Sequence, residues 1–310
     1  MAKELYYLFV SIRPKQWLKN VSLFGALVFS GRLFINEDFS KTVLAAILFS
    51  FLASAIYLLN DIIDIERDRQ HPFKKQRPIA SGKLSLPLAF IVALILIFVS
   101  LSSAHFISSF FFLTCLSYLV LQIFYSLYLK SMVIIDVLAI AAGFILRVAA
   151  GAFVINVHLS GWFYLCLISL SLFLSVGKRR SELTILADQA ANHRRTLSLY
   201  TNNLLDNYLA MFGASSFLSW ALFTFFAPPP PVGQAFPFLA ELPLALAGVN
   251  KWLMITIPVV IYGIMRYLKI IYEGAKAESP ENVLLADKPL LASTLIWGLM
   301  VIFIIYGVTV

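Results

Sequence analysis

Three aspartates near residue 60 have the type and spacing of a metal site. Asp61, Asp64 and Asp68 follow one another at intervals of three and four residues, and Asn60 precedes them. On a helix, these intervals bring the three carboxylates within about 60° of one another. Carboxylates on one face repel each other unless a cation lies between them, and oxygen ligands beside phosphate are typical of Mg²⁺, with Mn²⁺ as an alternative. We therefore predict that Asn60 and the three aspartates bind a divalent metal and that the aspartates are catalytic.

Basic residues follow the aspartates closely in the sequence. Lys74, Lys75, Arg77 and Lys83 lie within the next fifteen positions, and such side chains form charge-assisted hydrogen bonds with phosphate oxygens. The combination predicts a site for a metal-bound diphosphate, with Arg77 among the residues that bind substrate. The alternative is a solvated charge run between two membrane helices. A simple positive anchor, however, needs no carboxylates aligned on one face.

Two further polar clusters are candidates for binding a phosphate-rich substrate. Lys15, Lys19 and Asn20 precede an apolar run, and on an α-helix one face would point all three into a bundle. Tyr125 and Lys130 end a later apolar run. The alternative for both clusters is an interfacial anchor, since aromatic and basic residues are common at membrane borders.

Ionisable side chains also occur within or beside the middle apolar runs. Asp136 and Arg147 lie eleven residues apart in one run, so on a helix they share a face and are separated by roughly 16 Å. An ionisable residue inside a span is costly and marks a functional site by default. The alternative for Arg147 is a structural ion pair with Asp136. Lys178 and Arg179 close the next run and either bind phosphate or serve only as a topology signal.

The composition is that of a polytopic membrane protein. Of the 310 residues, 60% are apolar and 13% are charged, with a mean hydropathy of +0.86, whereas soluble domains are nearer half apolar and a quarter charged. We expect an all-α integral membrane protein that forms one domain over residues 1–310. Hydropathy predicts about nine transmembrane helices, near residues 20–36, 41–60, 85–104, 107–128, 134–155, 160–177, 206–227, 252–272 and 289–309.

The distribution of Lys and Arg predicts the orientation of these spans. With a cytoplasmic N-terminus, 20 of the 24 Lys and Arg residues lie in inside segments and 3 in outside segments, and Arg147 falls within a span. This asymmetry follows the positive-inside rule and puts the Asp-rich segment at the cytoplasmic face. The net charge of +8 therefore needs no nucleic acid to explain it, because anionic headgroups and phosphates suffice as partners.

The pattern of residues 60–82 resembles a known family. Asn60-Asp61-x-x-Asp64-x-x-x-Asp68, followed by Arg77-Pro78-Ile79-Ala80-Ser81-Gly82, is similar to the first aspartate-rich motif of the UbiA superfamily of intramembrane prenyltransferases. The resemblance implies nine transmembrane helices around a central cavity, with Asp-rich loops on the cytoplasmic side. It also implies a Mg²⁺-bound diphosphate substrate.

One branch of this superfamily fits better than the others. Where the aromatic prenyltransferases carry a second aspartate-rich motif, this chain has Gly177-Lys178-Arg179-Arg180-Ser181-Glu182. Together with Arg13-Pro14-Lys15-Gln16-Trp17-x-Lys19-Asn20, the segment from Asp136 to Arg147 and Ser279–Asp287, this departure resembles the decaprenyl-phosphate phosphoribosyltransferases, which make a precursor of cell-wall arabinan.

The branch implies a reaction and a location. It implies transfer of 5-phosphoribose from phosphoribosyl diphosphate to a polyprenyl phosphate, with release of diphosphate, by a multi-pass protein of the plasma membrane. The alternative is an aromatic prenyltransferase that uses an isoprenyl diphosphate donor. A transporter for a phosphorylated solute is a third class, but the ionisable residues collect on one predicted face rather than on two, which favours chemistry at that face.

Overall fold

Long apolar helices make up most of the chain. The computed structural model describes residues 2–70, 74–185, 199–226, 251–273 and 280–308. Outside these ranges lie three of the basic residues counted for the orientation, Arg194, Arg195 and Lys276, and the first residue of the Ser279–Asp287 motif. Within them the structure has no strand and twelve α-helices: α1 (Ala2–Ser11), α2 (Phe24–Phe29), α3 (Asn36–Ile63), α4 (Ile65–Gln70), α5 (Leu86–Ile107), α6 (Ser109–Leu127), α7 (Ile135–Val154), α8 (Gly161–Ile185), α9 (Asn202–Phe226), α10 (Ile257–Tyr272), α11 (Pro280–Ala286) and α12 (Lys288–Phe303).

Eight helical segments of the described chain are long and apolar enough to cross a membrane. They are α3, α5, α6, α7, α8 as far as Thr184, α9, the segment Trp252–Tyr272 and the segment Lys288–Gly307. In the last two, a short 3₁₀-helix leads into α10 and a π-turn follows α12. The predicted all-α, multi-pass membrane fold is confirmed, and each of these eight segments coincides with a predicted span, although several ends differ by up to seven residues.

The remaining predicted span, near residues 20–36, is not one continuous α-helix. Arg13 adopts a left-handed conformation (φ 53°) and is followed by a 3₁₀-helix over Pro14–Leu23, which leads directly into the six-residue α2. Gly31, with φ 77°, lies in the turn after α2. The two helices together rise about 29 Å, close to the ~30 Å hydrocarbon core of a bilayer. A ninth crossing therefore stays a prediction, as does the cytoplasmic N-terminus.

The 3₁₀-helix packs tightly against α7, and Gly151 makes this approach possible. A Cβ atom at Gly151 would lie 2.0 Å from the carbonyl oxygen of Leu23. That distance is far inside van der Waals contact, so the backbones would have to separate. Because packed interiors do not absorb such a displacement cheaply, the position requires glycine.

We expect Gly151→Ala to destabilise the protein by about 1–3 kcal/mol or more, the usual cost of overpacking. The measurement is the thermal unfolding midpoint of the purified protein in detergent. Gly298→Ala is the matched control, because it also adds a methyl group inside a long helix but meets no atom within 4 Å. Equal midpoints for the two variants would contradict the close approach.

Candidate functional site

Most of the polar residues singled out in the sequence gather at one end of the helical bundle. The ends of α3, α6 and α8 and the start of α7 lie there, as the ion pairs and hydrogen bonds between them show. The helix that carries the aspartates is interrupted at Asp64 (φ −93°, ψ 10°), where α3 gives way to α4. Backbone hydrogen bonds from Asp64 to Asn60 (2.9 Å) and from Asp68 to Asp64 (2.8 Å) nevertheless keep helical spacing across the break.

Arg77 lies between two of the three aspartates. Its Nη1 is 3.0 Å from Asp61 Oδ1 and 2.6 Å from Asp68 Oδ2, and Arg13 Nη2 is 2.5 Å from the same Asp61 oxygen. A guanidinium thus lies between these two carboxylates. Asp61 is only 2% exposed. Burial raises the pKa of Asp68 above its ordinary value, and the nearby Arg77 charge opposes this effect.

Asn60 contacts the end of α6, and Asp64 contacts the short 3₁₀-helix that follows α6, rather than the other aspartates. Lys130 Nζ is 2.7 Å from Asp64 Oδ1 and 2.9 Å from Oδ2, and the Ser126 hydroxyl donates to the Asn60 side-chain oxygen. Lys130, predicted to bind substrate, therefore belongs to the same cluster as the predicted metal ligands. In the part of the chain that the structure describes, no three His, Cys, Asp or Glu side chains are placed to hold a metal ion.

Arg179 forms the centre of a second, buried cluster. Helix α8 continues past the predicted end at residue 177, so Arg179 lies on its final turns, 1% exposed. Its Nε is 2.6 Å from Asp136 Oδ2, its Nη1 contacts Glu182, and its Nη2 donates to the Tyr125 hydroxyl at 2.9 Å. Arg179 Nε and Asp136 Oδ2 are close enough for an ion pair, but the geometry of this contact is not that of a hydrogen bond. This cluster joins α6, α7 and α8.

The alternative of a structural ion pair between Arg147 and Asp136 is wrong, because Asp136 pairs with Arg179. Arg147 is buried deeper in α7, where its Nε donates to Asn20 Oδ1 (3.0 Å) and its Nη2 donates to the Tyr118 hydroxyl (2.6 Å). Its Nη1 donates to the backbone oxygen of Gly143 (2.7 Å). The hydrogen bonds described for Arg147 thus all go to neutral groups, so its positive charge is available to an anion.

Lys15 and Lys19 do not share a face, contrary to the prediction. A 3₁₀-helix has three residues per turn, so positions four apart point about 120° away from each other. Lys15 is exposed, whereas Lys19 points inward with its Nζ 2.7 Å from Gln16 Oε1 and 3.0 Å from Glu281 Oε1. Burial lowers the pKa of Lys19, and Glu281 opposes this shift.

Glu281 is a residue of the site that lies within the Ser279–Asp287 motif but to which the sequence assigned no role. It is buried in α11 beside Lys19, although nothing in its spacing from other polar residues predicts this contact.

Lys178 is half-buried, and its Nζ lies 4.0 Å from Glu182. A cation is thus near a carboxylate at both positions.

An apolar cavity of about 360 Å³ adjoins these charges. It lies among α8, α9, α10, α11 and α12, and its lining includes Phe173, Trp220 and Tyr267. Lys19 and Glu281 are the charged members of the lining. The cavity therefore has a hydrocarbon-like body and a charged border, as suits an amphipathic ligand.

Membrane-crossing helices, carboxylates and cations gathered at one end, and an adjoining apolar cavity are the features of a membrane-embedded transferase. The chain belongs to the UbiA prenyltransferase family, whose model matches residues 21–271. The family predicted from the Asp-rich motif is confirmed.

Curated relatives cover nearly the whole chain. Decaprenyl-phosphate phosphoribosyltransferase of Corynebacterium glutamicum is 32% identical over 300 residues, which cover 96% of this chain and 86% of the relative. The protein of the same name from Mycobacterium tuberculosis H37Rv is 30% identical over 291 residues, which cover 93% and 90%.

Solved structures share the fold. A UbiA homolog from Archaeoglobus fulgidus bound to DMAPP and Mg²⁺ has a TM-score of 0.70 at 19% identity, covering 96% of this chain and 98% of that one. The same homolog bound to GPP and Mg²⁺ has a TM-score of 0.68.

Proposed function

We propose that this protein transfers 5-phosphoribose from phosphoribosyl diphosphate to a polyprenyl phosphate of the decaprenyl type, releasing diphosphate. The observation that carries the proposal is the near-full-length similarity to curated phosphoribosyltransferases. In the reaction, the bond between ribose C1 and the diphosphate oxygen breaks, and its electron pair leaves with diphosphate. A bond from C1 to an oxygen of the lipid phosphate forms. Because that phosphate is already an anion, the reaction needs no strong general base.

We propose Asn60, Asp61, Asp64 and Asp68 as the residues that hold a divalent metal with the donor. Carboxylate and amide oxygens are a donor set that fits Mg²⁺, and Mn²⁺ fits the same set. Bound there, the metal would supply stabilisation of the charge that grows on the leaving diphosphate. Arg77 bridges two of these carboxylates, so metal binding requires this guanidinium to turn to the donor's phosphates instead.

We propose that the remaining cations hold the phosphates of the two substrates against their mutual repulsion. Arg147 supports this role best, because its described partners are neutral. Lys15, Lys19, Lys130 and Lys178 are the other candidates. Substrate binding by Tyr125, Asp136 and Arg179 stays a prediction, and Arg179 contacts the other two within the buried cluster.

The apolar cavity supports a lipid acceptor. Its lining accommodates part of an isoprenoid chain, while Lys19 at its charged border attracts the phosphate. We further propose that residues 1–310 form one domain in the plasma membrane with the site at the cytoplasmic face, as the Lys and Arg distribution favours.

The second candidate is an aromatic prenyltransferase with an isoprenyl diphosphate donor. The observation that favours it is the fold shared with a UbiA homolog whose solved structures contain DMAPP or GPP with Mg²⁺. That likeness is at 19% identity, so it supports the fold rather than the substrate.

One assay distinguishes the two functions. Purified protein in detergent is incubated with Mg²⁺, phosphoribosyl diphosphate labelled in the ribose, and decaprenyl phosphate, and the lipid extract is scored for label. We expect labelled phosphoribosyl lipid. Absence of labelled lipid, together with prenyl transfer from geranyl diphosphate to an aromatic acceptor, would overturn the proposal in favour of the second candidate.

We expect Lys178→Ala to raise the KM for phosphoribosyl diphosphate about ten- to a hundredfold, since a hydrogen bond to a charged group contributes roughly 1.5–3 kcal/mol. Initial rates over a range of donor concentrations measure this effect. Lys269→Ala is the matched control, because it removes a more exposed lysine that also pairs with a glutamate four residues further along the chain. Unchanged kinetics of Lys178→Ala would leave Lys178 as a topology signal only.

A further inference from the structure

We propose that Tyr200 is a positioning residue, which fixes Arg179 and, through it, the end of α6 against the Asp-rich segment. This inference rests on the proposed function, because the segment that it positions is the proposed donor site. Tyr200 lies just before α9, outside every motif identified in the sequence.

The first step is that Arg179 is fully engaged by the protein. Its Nε and Nη1 contact the carboxylates of Asp136 and Glu182, and its Nη2 donates to Tyr125. A guanidinium held by two carboxylates has little net charge left to attract a phosphate. Because it is also 1% exposed, the geometry makes Arg179 a link between helices rather than a ligand of the substrate.

The second step is that Tyr200 holds the partner of Arg179. Its hydroxyl donates to Asp136 Oδ1 at 2.7 Å and accepts a hydrogen bond from the backbone N–H of Ile134, also at 2.7 Å. Burial and the bond to Asp136 both raise the pKa of Tyr200, so the hydroxyl keeps the proton that it donates. One side chain therefore fixes both the carboxylate and the backbone that precedes it.

The third step is that this backbone is strained. Ile134 has φ 71° and ψ −49°, and the N–H of Ile135 donates to the oxygen of Val133 at 2.8 Å. This is a classic γ-turn, a rare conformation that is disfavoured further by a β-branched residue. Strained turns persist only where their surroundings hold them. Ile134 lies at the start of α7, two residues before Asp136, and the hydrogen bond from its N–H to Tyr200 supplies that support.

The last step connects the cluster to the proposed donor site. Tyr125, which accepts from Arg179, is adjacent in sequence to Ser126, which donates to Asn60. Lys130, in the short 3₁₀-helix after α6, contacts Asp64. The end of α6 is thus held by Arg179 on one side and by the Asp-rich segment on the other. A shift of Arg179 would change the placement of Asn60 and Asp64.

The test uses Tyr200→Phe in the full-length protein, with phosphoribosyl diphosphate as the varied substrate. We expect kcat/KM to fall about ten- to a hundredfold, the effect of misplacing reacting groups by a fraction of an ångström to an ångström. Tyr208→Phe is the matched control: it removes a hydroxyl from a half-buried tyrosine that packs beside the same helices, and it should leave kcat/KM unchanged.

A double-mutant cycle distinguishes positioning from a general loss of stability. If Tyr200 acts through Arg179, adding Tyr200→Phe to Arg179→Lys should lower kcat/KM by less than twofold beyond the single Arg179→Lys variant. Additive losses, or wild-type kcat/KM for Tyr200→Phe, would overturn the inference. If Tyr200→Phe does not fold, the kinetics of Arg179→Lys test the inference instead. A wild-type kcat/KM for Arg179→Lys would then overturn the inference. An inactive wild-type protein would instead refute the proposed function.

Discussion

Replacing Asp64 with alanine should lower kcat about a thousandfold or more while the protein stays folded. Asp64 is one of the proposed metal ligands, and a Lewis-acidic metal contributes several kcal/mol of stabilisation to a developing charge, at about 1.4 kcal/mol per tenfold in rate. Its side chain is 27% exposed and pairs with Lys130, so its loss does not leave a deeply buried charge without a partner. The measurement is the transfer rate under saturating substrates, with the unfolding midpoint recorded in parallel.

The matched control is Asp206→Ala. Asp206 is a similarly exposed carboxylate that pairs with Arg180 near the same end of the bundle, yet it belongs to none of the proposed ligands. It should keep near-wild-type activity. Chelation tests the metal dependence independently of any mutation. EDTA should abolish phosphoribosyl transfer, and Mg²⁺ or Mn²⁺ should restore it. Full activity in EDTA, or in Asp64→Ala, would contradict the metal assignment.

Asp61 should behave differently from Asp64, although the sequence treats them alike. It is buried between Arg13 and Arg77, so its removal brings two guanidinium groups together without the carboxylate that both contact. Removing one partner of a buried ion pair is strongly destabilising. We therefore expect Asp64→Ala to fold normally and Asp61→Ala to be destabilised. Asp61→Asn, which keeps the shape, is the better probe of activity.

Hydropathy and local spacing were enough to predict much of this protein. The eight long helices were predicted because about twenty apolar residues in a row have few other stable arrangements. The three aspartates were predicted to bind a divalent metal, which stays a prediction, and the structure places Arg77 between Asp61 and Asp68. Helix formation by a long apolar run is a local property, and local sequence determines it.

Contacts between helices were not predictable in the same way. Helical periodicity correctly puts Asp136 and Arg147 in one helix, but it cannot show that Arg179 of α8 lies closer to Asp136 than Arg147 does. Similarly, the spacing of Lys15 and Lys19 assumes an α-helix, whereas the chain there forms a 3₁₀-helix. Glu281 and Tyr200 reach the polar clusters from distant segments, and a single sequence contains no signal for such encounters.

Arg147→Ala should raise the KM for one of the two phosphate-bearing substrates about ten- to a hundredfold, while the protein stays folded. Arg147 donates to Asn20, Tyr118 and a backbone oxygen, so its removal leaves neutral acceptors rather than a buried anion without a partner. A lost charge-assisted hydrogen bond to phosphate, by contrast, is worth roughly 1.5–3 kcal/mol. Titration of each substrate at saturating levels of the other identifies which phosphate Arg147 binds.

Two further variants make this result specific to the charge. Arg147→Lys keeps a positive charge but loses the planar group that reaches several acceptors at once, so its KM should lie between those of wild type and Arg147→Ala. Val148→Ala removes volume from the next, equally buried position of α7, and it should lower the unfolding midpoint without changing either KM. If Arg147→Ala instead behaves like Val148→Ala, with a lower midpoint and unchanged KM values, then Arg147 only stabilises the helical bundle and another cation must bind the phosphate.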